Sequence, residues 1–274
     1  MLDKSDFKCY FYFVVEMMLR LLYFFCFLLR LMFNSLLQTT NKINLFPVNS
    51  GYINHFEYDF HQKSISLSYI SHNIDAKSVA FFKKRCCFFS DMPDVPIYIF
   101  THTGCYYSAI AQVIMSHPTG TKFYLPVMDY LLNTDVIHNI EKLRELGYDI
   151  IVGGVSERRF LLKMFKQSIS TKILIFSDVP PGLFMESDNQ SKRKVTFFTR
   201  NGCLFSGVFK LIEHKKVESC VVSYKHNPFK KDVLFFSDKH KHSDCSGIIS
   251  SMEKAIGNSL KDWRYLNYIE FYYQ

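Results

Sequence analysis

Short apolar runs alternate with longer amphipathic stretches through the C-terminal two-thirds of this 274-residue chain. An unbroken apolar run over 95–100 (VPIYIF) stops at Thr101-His102-Thr103-Gly104, and apolar positions then recur with helical spacing over 106–116. Short apolar runs bounded by turn formers read as buried strands, and a 3.6-residue recurrence reads as an amphipathic helix. The same reasoning predicts a strand over 121–125, a helix over 134–146 closed by Gly147, a strand over 148–153 and a helix over 157–167. An apolar strand over 172–177 runs into Asp178-Val179-Pro180-Pro181-Gly182. Strands over 194–199 and 217–224 flank a helix over 204–214, and helical patterns around 248–257 and 260–269 follow. This alternation indicates an α/β fold with a mixed, largely parallel sheet flanked by helices. In such sheets functional groups gather at the carboxyl edge, where His102 and Asp178 both fall.

The first third reads differently. From Phe7 to Phe33 the chain is almost wholly apolar, broken by Glu16, Arg20 and Arg30, with nine uninterrupted apolar residues from Leu21 to Leu29. A spanning helix needs about 20 apolar residues. Arg20 near mid-membrane costs about 2.5–3.5 kcal/mol on insertion scales. A helix lying in the interface, its arginines reaching lipid phosphates, avoids that cost. Residues 1–38 are therefore expected to form a hydrophobic, membrane-associated N-terminal helix, and 39–274 one α/β domain. A buried first helix is the plainer alternative. Glu16 and Arg20 interrupt what a secretory signal needs as its apolar centre. Further on, 64–70 alternates like a half-buried strand, and 78–89 resembles a short helix with a basic patch at Lys83, Lys84 and Arg85.

Composition sharpens this picture. Hydrophobic residues make up 48% and aromatics 17%, far too much for a disordered chain. The net charge of +8 favours anionic partners. Because the basic residues are dispersed and no zinc-finger, KH or RRM signature is present, nucleic acid is not expected, and an anionic membrane face or acidic carrier protein fits better. Cysteines at 9, 26, 86, 87, 105, 203, 220 and 245 show no disulfide framework and read as thiols in a reducing compartment. No phosphate loop or G-x-G-x-x-G is present, so no nucleotide cofactor is expected.

His102 at the end of a strand, just before a helix, is a candidate general base. An acid one helical turn later is needed to hold the ring's tautomer, and that position is Tyr107. If the chemistry persists, an acid from elsewhere, Asp178 or Glu157, must support His102. Cys105 near a helix N-terminus is a weak nucleophile candidate. Arg144 reads equally as a phosphate contact or as a partner for Glu141 or Glu145. Arg158 opens a helix beside Glu157 and can face a ligand. Asp238, His240, His242, Asp244 and Cys245 have ligand-like side chains but lack the second spaced pair of a zinc site, so no metal is expected.

Taken in order, these landmarks resemble the late acyltransferases of lipid A biosynthesis, the lauroyl and myristoyl transferases, over about residues 95–270. His102-Thr103-Gly104-Cys105-Tyr106-Tyr107 resembles the family's H-x-G-N-W-E, with Cys105-Tyr106 for Asn-Trp and Tyr107 for the acid. Lys142 to Tyr148, with Arg144 before Gly147, resembles a helix–glycine–strand passage. Ile175 to Gly182 resembles a strand ending in Asp with Pro-Gly nearby, with Val179 for the usual Gln. Val195 to Thr199 resembles V-x-F-F-G with Thr199 for Gly, and Gly207 to Leu211, Cys220 to Val222, Met252 to Ile256 and Trp263 follow in the expected order.

The resemblance implies a glycerolipid acyltransferase-like fold and transfer of a fatty acyl chain from an acyl carrier protein or acyl-CoA thioester to a lipid A-like or other hydroxyl or amine acceptor. His102 is the implied general base, with Tyr107 and Asp178 in the catalytic group and Gly104, Arg144 and Arg158 toward substrate. The implied place is the cytoplasmic face of an inner membrane, peripheral or anchored by one helix, with acyl donor as co-substrate and no resident cofactor. The alternative is a homologue that kept acyl or lipid binding and lost catalysis; Tyr107 is the residue that argues for it.

Overall fold

The computed structural model describes residues 86–183, 192–227 and 230–273, together with isolated positions before residue 66. Among the described residues, β1 (Lys42–Ile43) and β2 (Ile53–Asn54) form a small antiparallel ladder. The centre is a seven-stranded sheet built from β3 (Cys86–Phe88), β4 (Ile97–Phe100), β5 (Lys122–Val127), β6 (Asp149–Gly154), β7 (Lys172–Phe176), β10 (Ser219–Lys225) and β11 (Asp232–Phe236). A separate antiparallel hairpin, β8 (Lys192–Phe197) and β9 (Arg200–Phe205), lies between β7 and β10 in sequence. The helices are α1 (Tyr106–Met115), α2 (Asp135–Glu141), α3 (Arg158–Phe165), α4 (Gly207–Lys215) and α5 (Cys245–Asn258).

The spatial order is β3-β11-β10-β4-β7-β5-β6. From β10 to β6 neighbouring strands are parallel, while β11 runs against β10 and pairs parallel with β3. This is the expected mixed, largely parallel α/β architecture. All four residues of β4 are buried, as a strand covered on both faces requires. Tyr98 and Phe100 pack into the layer holding α1 and α2. Ile97 and Ile99 pack into the layer holding α3, α4 and α5.

Several boundaries differ from expectation for physical reasons. The helix expected over 204–214 begins at Gly207, because Arg200–Phe205 pairs with β8 around a two-residue turn. Phe198 and Thr199 supply that turn at φ 46° and 65°, an arrangement usually marked by Asn-Gly and so invisible here. Cys86–Phe88 is a strand rather than the end of a helix, and Ile65 is helical rather than extended. The strand β11 had no alternating signal. The expected helix over 134–146 divides into α2 and a 3-10 segment, Lys142–Leu146, ended by Gly147 at φ 90°.

Most of the expected N-terminal helix lies outside the described residues. Met17, Met18, Leu21, Leu22 and Phe25 are helical and exposed. No helix among the described residues is long and apolar enough to cross a membrane.

Candidate active site

The register of β4 and β7 builds the site. Ile97 stands opposite Ile173 and Phe100 opposite Phe176, an offset of 76 residues. Two residues past the paired ends, the same offset brings His102 to Asp178. His102 Nδ1 lies 2.6 Å from Asp178 Oδ1, and the His102 backbone N–H donates to Asp178 Oδ2 at 2.7 Å. A parallel sheet thus delivers base and acid from adjacent strand ends.

Asp178 is fully buried. A buried carboxylate is costly unless its oxygens are satisfied, and here three donors do so. The third is Trp263, whose Nε1–H donates to Asp178 Oδ2 at 2.9 Å. Tyr272 Oη donates to the Asp178 carbonyl oxygen. With a carboxylate accepting at Nδ1, that nitrogen carries the proton and Nε2 presents a lone pair. Among the described residues nothing hydrogen-bonds to Nε2. The ring is held on three sides by Tyr106, Phe176 and Tyr265, at centroid distances of 4.8, 4.3 and 5.0 Å.

The loop carrying His102 is fastened to the C-terminal segment. Gly104 N–H donates to Asp262 O at 2.9 Å, and Arg264 N–H donates to His102 O at 2.9 Å. Thr103 and Trp263 form an isolated bridge between these bonds. Thr103 Oγ1 accepts from Tyr224 N–H at 3.0 Å, tying the loop to the end of β10. Gly104 has φ +53°, and a Cβ there would lie 2.6 Å from Tyr224 O. Glycine is required at this position by backbone approach, and its N–H is spent on Asp262 rather than turned to a substrate. Tyr58, from the N-terminal segment, donates to Trp263 O and Arg264 O at 2.8 and 2.9 Å.

His102, Tyr106 and Tyr107 line one part of a cavity of about 400 Å³, within the range of small-molecule sites. Ile110, Leu125, Ile137, Met164, Val208 and Leu211 are among its apolar walls. These come from α1 to α4 and both core layers, so the cavity runs across the carboxyl edge of the sheet.

Of the other expected site residues, Tyr107 and Gly104 stay beside this centre and the rest lie apart from it. Tyr107 lies against Tyr106, with ring centroids 4.2 Å apart, and the carboxylate contact to His102 expected from its position comes instead from Asp178. Arg144 is exposed; its Nε donates to Ile150 O at 2.7 Å and its Nη2 pairs with Glu141 at 3.2 Å. It closes the end of a helical segment and does not line the cavity. Arg158 and Glu157 are exposed at the start of α3, also outside the lining. Cys105 is buried in the core. His240 bonds Asp244 and Ser251 at 3.0 and 2.9 Å, and Asp244 caps α5 through Gly247 N–H. Among the described residues no cluster suited to a metal ion is present.

The sequence matches no protein-family model and no curated protein.

The sequence marked Trp263 only as a landmark of the resemblance and left Arg264 and Tyr265, also neighbours of the His102 loop, without a role. Trp263 is the chain's single tryptophan, and that rarity was the available signal. The aromatic density of 263–273 was the other, because buried Trp and Tyr need polar partners.

Proposed function

We propose that the protein is an acyltransferase, moving a fatty acyl chain from a carrier-protein or coenzyme A thioester to a hydroxyl or amine of a lipid, lipid A-like or other acceptor. The observation that carries this reading is the His102–Asp178 pair set against a predominantly apolar cavity. Imidazole with an oriented free nitrogen is the group for activating a weak nucleophile. An apolar cavity of this size shelters an alkyl chain.

In the proposed reaction His102 Nε2 takes the proton from the acceptor O–H or N–H. The acceptor atom bonds to the thioester carbonyl carbon, and the resulting tetrahedral species collapses by breaking its C–S bond. The leaving thiolate takes back the proton from His102. Asp178 stabilises the imidazolium formed between these steps. The binding-only alternative rests on Tyr107, and the His102–Asp178 contact supports the catalytic reading over it.

The exposed apolar side chains of Met17, Met18, Leu21, Leu22 and Phe25 support seating on a lipid surface, where donor tails and lipid acceptors reside. The proposed setting is the cytoplasmic face of a membrane.

The test is acyl transfer from a radiolabelled acyl donor to lipid acceptors by membranes containing the protein. Transfer is expected to disappear in His102→Ala and to survive in Cys105→Ala. Equal transfer by wild type and His102→Ala excludes this mechanism.

A further inference from the structure

Arg264, unlike Arg158 and Arg159 at the exposed start of α3, is held beside His102 without a carboxylate partner among the described residues. Arg144, Arg193 and Arg200 each meet a carboxylate, from Glu141, Glu213 and Glu270. Arg264 meets none among the described residues. Its Nη1 donates instead to Tyr106 Oη at 2.7 Å, a neutral acceptor, and the residue is exposed. Its backbone is fixed on both sides, through the N–H to His102 O and through its carbonyl, which accepts from Tyr58 Oη. The guanidinium is therefore stationed beside the catalytic loop rather than trailing in solvent.

Its surroundings complete an anion receptor. Burial pushes the hydroxyls of Tyr106, Tyr107 and Tyr265 above the ordinary tyrosine range, against the pull of the guanidinium. At neutral pH they are uncharged O–H groups, able to donate. Tyr106 and Tyr107 also line the cavity, and Tyr265 touches the His102 ring. A planar guanidinium whose charge no carboxylate cancels, flanked by hydroxyl donors, suits the oxygens of a phosphate.

We propose that Arg264, with the hydroxyls of Tyr106, Tyr107 and Tyr265, forms a phosphate-binding subsite beside His102. It holds the phosphorylated part of a substrate whose alkyl chain occupies the cavity. The proposal rests on the acyl-transfer reading for its substrate class. The phosphate belongs either to the phosphopantetheine arm of the donor or to the headgroup of a lipid acceptor, and the recognising chemistry is shared.

The experiment measures binding to full-length protein of two unreactive thioethers, S-dodecyl-4′-phosphopantetheine and S-dodecyl-pantetheine, which differ only in the phosphate. A second arm measures binding to phosphatidylcholine vesicles with and without phosphatidic acid. Wild type is expected to prefer the phosphorylated probe in at least one arm. Arg264→Gln is expected to lose that preference by roughly ten- to a hundredfold, with binding of S-dodecyl-pantetheine unchanged. A lost preference for the phosphopantetheine probe assigns the phosphate to the donor; a lost preference for phosphatidic acid assigns it to a lipid. Unchanged preference in both arms, or no preference in wild type, overturns the proposal. Arg264→Lys, which keeps the charge and loses the fork, carries the same readout should the glutamine variant fail to fold. Failure of the acyl-transfer reading is scored separately, by transfer in His102→Ala, and leaves these binding comparisons intact.

Discussion

Trp263 Nε1 donates to Asp178 Oδ2 at 2.9 Å, joining residues 85 positions apart in the chain. The indole is fully buried and stacks against Tyr272 with centroids 5.8 Å apart. Its bond fixes the carboxylate plane that in turn fixes the His102 ring. Trp263→Phe keeps most of the packing and leaves Asp178 with one donor fewer. It is expected to lower the transfer rate about tenfold or more and to cost about 1–3 kcal/mol of stability. A rate-against-pH profile distinguishes positioning from simple destabilisation, because only positioning moves the profile's midpoint in the folded enzyme.

Asp178→Asn removes the charge that stabilises imidazolium. The equivalent change in a serine-protease triad costs about 10⁴ in rate, and a loss of about 10³–10⁴ is expected here, read from initial rates of acyl transfer. Tyr107→Phe is expected to keep the rate at saturating substrate within about threefold, under about 0.7 kcal/mol in barrier height, its larger effect falling on substrate affinity through the proposed phosphate subsite. A large loss at Tyr107 with a small one at Asp178 reverses the assignment of the acid.

The β8–β9 turn offers a stabilising change. Thr199 is β-branched and adopts φ 65°, a left-handed conformation in which such a side chain is strained. Thr199→Gly is expected to raise stability by about 0.5–1 kcal/mol. Denaturant midpoints at constant slope measure it.

A pH response follows from His117. Burial pushes its imidazole below the ordinary value of 6.5, Lys172 pushes the same way, and Asp94 opposes them. Its Nε2 lies 3.0 Å from Tyr98 Oη. The unfolded chain therefore binds a proton that the folded chain resists. The stability tied to neutral His117 is fully present above about pH 6.5 and lost as pH falls through the depressed folded value. His117→Gln is expected to flatten the fall in unfolding free energy on the acid side of 6.5, measured by chemical denaturation at a series of pH values.

The central strands were legible because apolar runs such as 95–100 and 172–177 have no other place than between two helical layers. That His102 and Asp178 end two such strands was also readable. Their adjacency was not, because strand order and register arise from long-range pairing that a linear pattern does not encode. The helix over 106–116 announced itself by spacing, whereas β9 was concealed by a turn made from Phe198 and Thr199 instead of glycine. In the sequence Arg144 reads equally as a phosphate contact or as a partner for Glu141 or Glu145, because an arginine before a glycine carries no mark of direction. The structure shows its guanidinium spent on Ile150 and Glu141. Arg264 carried no mark in the sequence for the converse reason, since its proposed role rests on its place beside His102 and Tyr106, which only long-range packing creates.

The acid that serves His102 stands on a neighbouring strand, whereas α1 contributes Tyr106, Tyr107 and Ile110 to the cavity wall. The same helix also touches the imidazole, because the Tyr106 ring packs 4.8 Å from that of His102. On the proposed acyl-transfer reading, a shift of α1 that reshapes the chamber also moves a wall of the imidazole's own pocket. Mutations that retune the alkyl chain accepted are therefore expected to carry a cost in rate unless Asp178 holds the ring against them.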